Sequence, residues 1–123
     1  MNVQKKITLV LGASPKPERY SNAAVRLLQE YGHPVIALAK RKGNIGSIPI
    51  ITEPPLNEKI DTVTLYVGPQ HQPQYYDYLL NIQPKRVIFN PGTFNEQLEK
   101  MLENAGIEPI EHCTLVMLRS NEY

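Results

Sequence analysis

Ile7-Thr8-Leu9-Val10-Leu11-Gly12-Ala13-Ser14 is the stretch on which the fold turns. Five apolar or β-branched residues in a row, stopped by a glycine, read as a strand buried on both faces. Ser21 or Asn22 is placed to cap a following helix, whose Ala23, Ala24, Leu27, Leu28 and Tyr31 fall on one face and whose stop is Gly32. Val35-Ile36-Ala37-Leu38-Ala39, entered through Pro34, is a second strand. A buried strand, an amphipathic helix and another apolar strand form a parallel crossover unit.

The same alternation continues. A basic, glycine-bearing loop, Lys40 to Gly46, leads to Ile48-Pro49-Ile50-Ile51, which Pro49 restricts to a sheet edge or a segment outside the sheet. Thr52 to Pro55 read as a turn, followed by at most one helical turn. Thr62 to Val67 form the third strand, closed by Gly68-Pro69, and a helix from about Gln72 to Asn81 presents Tyr75, Tyr76, Leu79 and Leu80. Arg86 to Phe89 are the fourth strand. Phe94, Leu98, Met101, Leu102 and Ala105 make the clearest helical stripe, ended by Gly106, and Ile107 to Ile110 form a short last strand. The apolar tail from Cys113 to Leu118 fits helix and strand equally. No linker or repeat divides residues 1–123, so one domain is expected, doubly wound with helices on both faces of a mainly parallel sheet.

Composition narrows the partners. With 13 Lys+Arg against 12 Asp+Glu the net charge is +1, too balanced for an electrostatic nucleic-acid or membrane surface. The opening Met1-Asn2-Val3-Gln4-Lys5-Lys6 meets an apolar run too short for a signal core or a membrane span. Cys113 is the sole cysteine, which excludes an internal disulfide and fits a reducing, cytoplasmic setting.

In a sheet of this kind ligands bind beyond the carboxyl ends of the strands, where strand order reverses. The first such loop, Gly12-Ala13-Ser14 through Arg19-Tyr20-Ser21-Asn22, combines a tight turn with a helix N-terminus. Ser14, Ser21 and Asn22 supply neutral donors, and Arg19 can fork onto a phosphate. The second and third glycines of the dinucleotide fingerprint are missing. The second loop replaces the acid expected of NAD-binding chains with Lys40-Arg41-Lys42. Those cations suit a ribose carrying an extra phosphate, the 3′-phosphate of coenzyme A or the 2′-phosphate of NADP. The third loop offers Val67-Gly68-Pro69. The fourth offers Pro91-Gly92, with Thr93 or Asn95 as helix cap and Glu96 complementing the helix dipole.

No catalytic constellation accompanies these loops. His33, His71 and His112 are widely separated and show no metal-ligand spacing; His71 alone sits at a binding edge, where capping or packing accounts for it. Tyr75, Tyr76 and Tyr78 have no lysine four positions on and read as helix packing. Cys113 reads as a small buried hydrophobe, or as a thiol that meets the thiol of coenzyme A if the tail folds over the site.

Taken together, Val10-Leu11-Gly12-Ala13-Ser14, the basic loop with Gly46, Tyr66-Val67-Gly68-Pro69, Asn90-Pro91-Gly92-Thr93-Phe94-Asn95-Glu96 and Glu111-His112-Cys113-Thr114 resemble the small stand-alone CoA-binding proteins. Those in turn are similar to the N-terminal domain of the succinyl-CoA synthetase α subunit. The resemblance implies a five-stranded Rossmann-like sheet with coenzyme A, or an acyl-CoA, across the strand ends. It implies contacts from Gly12, Ala13 and Ser14, from Arg41 with Lys40 and Lys42 near the 3′-phosphate, from Val67, Gly68 and Pro69, and from Pro91 and Gly92. Ala39-Lys40 departs from the family's Asn-Pro or Ser-Pro at that place. The synthetase's phosphohistidine belongs to a second domain with no counterpart here, so the expectation is a binding module rather than an enzyme. An NADP-dependent reductase and a ligand-free interaction domain are the alternatives.

Overall fold

A computed structural model describes residues 5–123; the opening Met1 to Gln4 lies outside them. The strands are β1 (Thr8–Leu11), β2 (Val35–Leu38), β3 (Gly43–Ile45), β4 (Ile48–Ile51), β5 (Thr62–Leu65), β6 (Arg86–Phe89) and β7 (Glu108–Glu111). The α-helices are α1 (Tyr20–Glu30), α2 (Tyr76–Ile82), α3 (Glu96–Asn104) and α4 (Thr114–Arg119). Two short 3₁₀ turns, Pro69–His71 and Pro73–Tyr75, precede α2, so the helix expected from Gln72 begins four residues later.

Among the described residues, seven strands form one sheet in the order β3-β4-β2-β1-β5-β6-β7, with only the β3–β4 pairing antiparallel. The expectation of five strands is therefore corrected to seven. The basic loop after β2 runs back along the sheet as β3, turns at Gly46-Ser47 and returns as β4. Gly46 has φ +58 at the first of the two turn residues, the place where a tight hairpin favours glycine. Hairpin pairing puts Asn44 opposite Pro49, whereas pairing of β4 with β2 begins at Ile50. Pro49 thus lies one strand in from the edge without costing β2 a bond.

Alternate residues of the central strand β1 feed two cores. Leu9, Leu11, Val63, Leu65, Val87 and Phe89 meet Leu79 of α2 and Leu98 and Leu102 of α3. Val10 and Ala37 meet Val25 and Leu28 of α1 and Leu118 of α4. β1 is buried on both faces, which is why it reads as a continuous apolar run. Leu98 and Leu102 are wholly buried, each worth about 2 kcal/mol by removal from water. From β1 the chain proceeds outward through β2 to β4, then returns to lay β5 on the other side of β1. The strand order reverses between β1 and β5, and the loops at their carboxyl ends face each other there.

Candidate functional site

Gly12 follows β1 with φ +99, and an added β-carbon would stand 2.7 Å from the Tyr66 carbonyl oxygen and 2.9 Å from Val67 Cγ2. Only glycine lets the two loops approach so closely. Gly12 and Ala13 both donate their backbone N–H to the Leu38 carbonyl, at 2.8 and 3.2 Å, which ties the turn to the end of β2.

The start of α1 lies beside this turn. Its N-cap residue is Arg19, with no side-chain cap bond and no acid in the first turn. The expected cap at Ser21 or Asn22 is corrected: both are buried within the first turn. Asn22 instead donates from Nδ2 to the Ser14 carbonyl (2.9 Å) and accepts at Oδ1 from Arg26 Nε (2.7 Å), so it braces the loop. The first intrahelical bond runs from the Ala23 N–H to the Arg19 carbonyl. The N–H groups before it have no acceptor within the helix, the arrangement that suits an anion. Gly12, Ser14, Lys16, Arg19 and Ser21 line the cavity at this end.

A second cavity opens between the ends of β2 and β5. Ala13, Ala39 and Lys40 form one wall, Val67, Gly68, His71 and Tyr75 the other. Lys40 is the member of the basic triplet on this wall; Arg41 and Lys42 are exposed beyond it, at the approach to β3. Pro69 begins the 3₁₀ turn behind Gly68. A third cavity adjoins the first on the other side, lined by Tyr20, Tyr66, Pro91 and Cys113 with Leu115 and Val116 of α4. Gly92, exposed and at φ +87, turns the chain just behind Pro91. Tyr66 borders all three cavities, so they form one groove along the strand ends.

The walls are fixed by buried polar side chains. Gln72, 1% exposed, donates from Nε2 to the carbonyls of Val67 (2.9 Å) and Thr93 (2.7 Å), and its Oε1 accepts from Asn95 Nδ2. It therefore clamps the β5 loop to the β6 loop. Asn95, rather than the alternative Thr93, caps α3 by accepting from the Leu98 N–H. Asn90 donates to Thr64 Oγ1 and the Leu65 carbonyl and accepts from the Thr114 N–H, which fixes the start of α4 beside the groove. The Tyr66 hydroxyl is buried with no hydrogen-bond partner among the described residues, and burial holds its pKa far above that of a free tyrosine.

His71, expected at a binding edge in a capping or packing role, is exposed and lines the Lys40 cavity. Lys16, Tyr20, Tyr66 and Tyr75 line the groove without having been expected there, and only Tyr66 carries a signal in the sequence, its position at a strand end. His33 and His112 lie elsewhere, accepting the N–H groups of Lys6 and Cys113. Among the described residues no cluster of three or more His, Cys, Asp or Glu could hold a metal. No helix among them is long and apolar enough to cross a membrane.

Comparison with known proteins gives the groove a context. No curated protein matches the chain. A crystal structure of an uncharacterized protein is 48% identical, covers 98% of this chain and 100% of its own, and superposes with a TM-score of 0.95. A hypothetical protein from Pyrococcus horikoshii OT3 is 32% identical over 96% of this chain and 82% of its own, with a TM-score of 0.79. The dinucleotide-forming acetyl-coenzyme A synthetase 1 of Ca. Korarchaeum cryptofilum, solved with phosphate and ADP, is 19% identical and shares the fold, at a TM-score of 0.70. This chain covers 25% of that protein. The family model described as the CoA binding domain matches residues 6–119, and the chain belongs to that family.

Proposed function

We propose that the groove binds coenzyme A or an acyl-CoA and that the chain is a binding module without chemistry of its own. The observation that carries this reading is the juncture of Gly12 with Tyr66, beside a helix start whose first N–H groups have no acceptor within the helix. A pyrophosphate fits in the cavity beside that juncture, lined by Ser14, Ser21 and the start of α1, where Arg19 and Lys16 add positive charge. The cavity walled by Lys40 and His71 then takes the adenosine, with Lys40 at the 3′-phosphate. The arm leading to the thiol runs the other way, past Tyr66 toward Pro91 and Gly92. Arg41 and Lys42 act as a longer-range field around the same phosphate rather than as direct ligands.

The test is thermal unfolding with coenzyme A, dephospho-CoA, NADP, NAD and ADP at matched concentration. A ligand specific to the folded state at roughly 100 times its Kd adds about 2.7 kcal/mol, enough to raise Tm by several degrees. The expected order places coenzyme A above dephospho-CoA and NADP. A flat response across the panel overturns the reading.

A further inference from the structure

We infer that Tyr123, at the opposite end of the sheet, is a positioning residue for the groove: its docked ring holds α4 where the arm of coenzyme A meets it. This rests on the proposed binding of coenzyme A along the groove. Helix α4 has six residues, too few to be stable by itself, so its place depends on what holds its two ends. The near end is fixed beside the groove, where Asn90 Oδ1 accepts the Thr114 N–H and the Thr64 hydroxyl meets that of Thr114. At the far end Asn121, at φ +63, closes the helix as its N–H meets the Leu118 carbonyl and the Glu122 N–H the Met117 carbonyl. The chain then delivers Tyr123 to the first residues of three adjacent strands. The Thr8 hydroxyl of β1 donates to the Lys6 carbonyl, which leaves its oxygen to accept from the Tyr123 hydroxyl. The ring lies over Arg86 of β6, whose Nε donates to Thr62 Oγ1 of β5. Helix and tail together strap the sheet from one end to the other.

The far anchor is specific to an aromatic ring. Arg86 is 9% exposed and has no carboxylate partner among the described residues. Its guanidinium carbon stands 4.3 Å from the centre of the Tyr123 ring, whose negative face supplies what a buried cation otherwise lacks. Lys6 Nζ and Arg86 Nη2 also donate to the Tyr123 carbonyl, and His33 meets the ring edge-on. Tyr123 lines none of the groove's three cavities, whereas Leu115, Val116 and Arg119 of α4 line the one past Tyr66, toward Pro91. The two cavities assigned to the pyrophosphate and the adenosine contain no residue of α4. If the strap is docked only part of the time, a ligand that needs α4 loses affinity by that fraction, and one that does not is spared.

Isothermal titration with coenzyme A and with adenosine 3′-phosphate 5′-diphosphate, which is coenzyme A without its arm, tests the inference. Each protein is measured at a temperature where its own unfolding curve shows it folded. Tyr123→Ala and Tyr123→Leu are expected to weaken coenzyme A roughly tenfold, the factor for a strap docked in about a tenth of the molecules, and to leave the armless nucleotide unchanged. Tyr123→Phe keeps the ring over Arg86 and is expected to restore most of the loss. Without any ligand, iodoacetamide should alkylate Cys113, the residue before α4, faster in the Ala and Leu variants than in the Phe variant or the wild type. A purely structural role for Tyr123 would weaken both ligands together. Equal losses for the two ligands, or a Tyr123→Ala protein that keeps its coenzyme A affinity, overturns the inference and leaves coenzyme A binding standing. Failure of the wild type to bind either ligand overturns both.

Discussion

Gly12 and Tyr66 share a space that has no room for a side chain: a β-carbon on Gly12 would lie 2.7 Å from the Tyr66 carbonyl oxygen and 2.9 Å from its carbon. The clash involves backbone, which cannot swing away, and the φ of +99 is itself unfavourable to any residue with a β-carbon. Gly12→Ala is therefore expected to destabilise the fold by about 2–4 kcal/mol, as strain and overcrowding add. It should also abolish the rise in Tm produced by coenzyme A. Urea unfolding reads the first effect and thermal unfolding the second. Wild-type values in both would show that the approach of the two loops is dispensable.

Lys40 lines the cavity at the end of β2, and Arg41 and Lys42 do not. Lys40→Ala is expected to lower coenzyme A affinity by roughly 10-fold or more, the worth of a charge-assisted hydrogen bond. Dephospho-CoA, which lacks the 3′-phosphate, should lose little. The double variant Arg41→Ala with Lys42→Ala should show the same selectivity at smaller size. Isothermal titration with both ligands decides the matter, since equal losses for the two would remove the 3′-phosphate assignment.

The sequence announces what depends on local pattern and hides what depends on pairing at a distance. Leu9 and Val10 face opposite cores, so β1 had to be an unbroken apolar run, and it was readable as one. At the head of the strongest stripe the sequence offers Thr93 or Asn95 as the cap, and Asn95 takes the Leu98 N–H. β3 was invisible because Gly43-Asn44-Ile45 carries one buried apolar side chain, Ile45, and owes its strand form to β4. The tail from Cys113 could not be assigned because Leu115, Met117 and Leu118 are all buried, which breaks strand alternation without forming a long helical stripe. Asn90, far from α4 along the chain, supplies the contact that starts that helix. The loops of the site were legible as strand ends, but not which cation of Lys40-Arg41-Lys42 faces inward, because a loop's register is set by the hairpin that follows it.

Asn90 joins three elements at once: its Nδ2 reaches Thr64 Oγ1 at 2.6 Å and the Leu65 carbonyl at 2.8 Å, and its Oδ1 accepts the Thr114 N–H at 2.9 Å. Thr64 and Thr114 complete the network through a hydroxyl–hydroxyl bond of 2.7 Å. Asn90→Ala leaves a buried carbonyl and a buried N–H unpaired, each costing about 1–3 kcal/mol. The expected loss is about 2–4 kcal/mol in urea unfolding, with faster hydrogen exchange at the Thr114 amide. Asn90→Asp should be damaging too, because its second oxygen would face the Leu65 carbonyl where a donor is required. A stable Asn90→Asp protein with a protected Thr114 amide would show that the acceptor alone holds α4.

His33 couples stability to pH at the opposite end of the sheet. It is 6% exposed, its Nδ1 accepts the Lys6 backbone N–H at 3.0 Å, and its ring meets Tyr123 edge-on at 4.9 Å. Burial is the main force lowering its pKa below 6.5; Lys5, Lys6 and Arg86 lower it further, and Asp61 opposes them. Protonation would also replace the acceptor at Nδ1 with a donor facing a donor. The unfolded chain takes up this proton near pH 6.5, whereas the folded protein resists it until lower pH. The contribution of His33 is therefore complete above about pH 6.5, declines as the pH falls below it, and levels off below the folded pKa. Urea unfolding between about pH 5 and 7.5 should show stability falling with acidity in the wild type. His33→Gln, which cannot titrate, should have a flatter profile over that window whatever its absolute stability. An unchanged slope in His33→Gln would move the linkage to another group, whereas a flattened one assigns it to the ring packed between Lys6 and Tyr123.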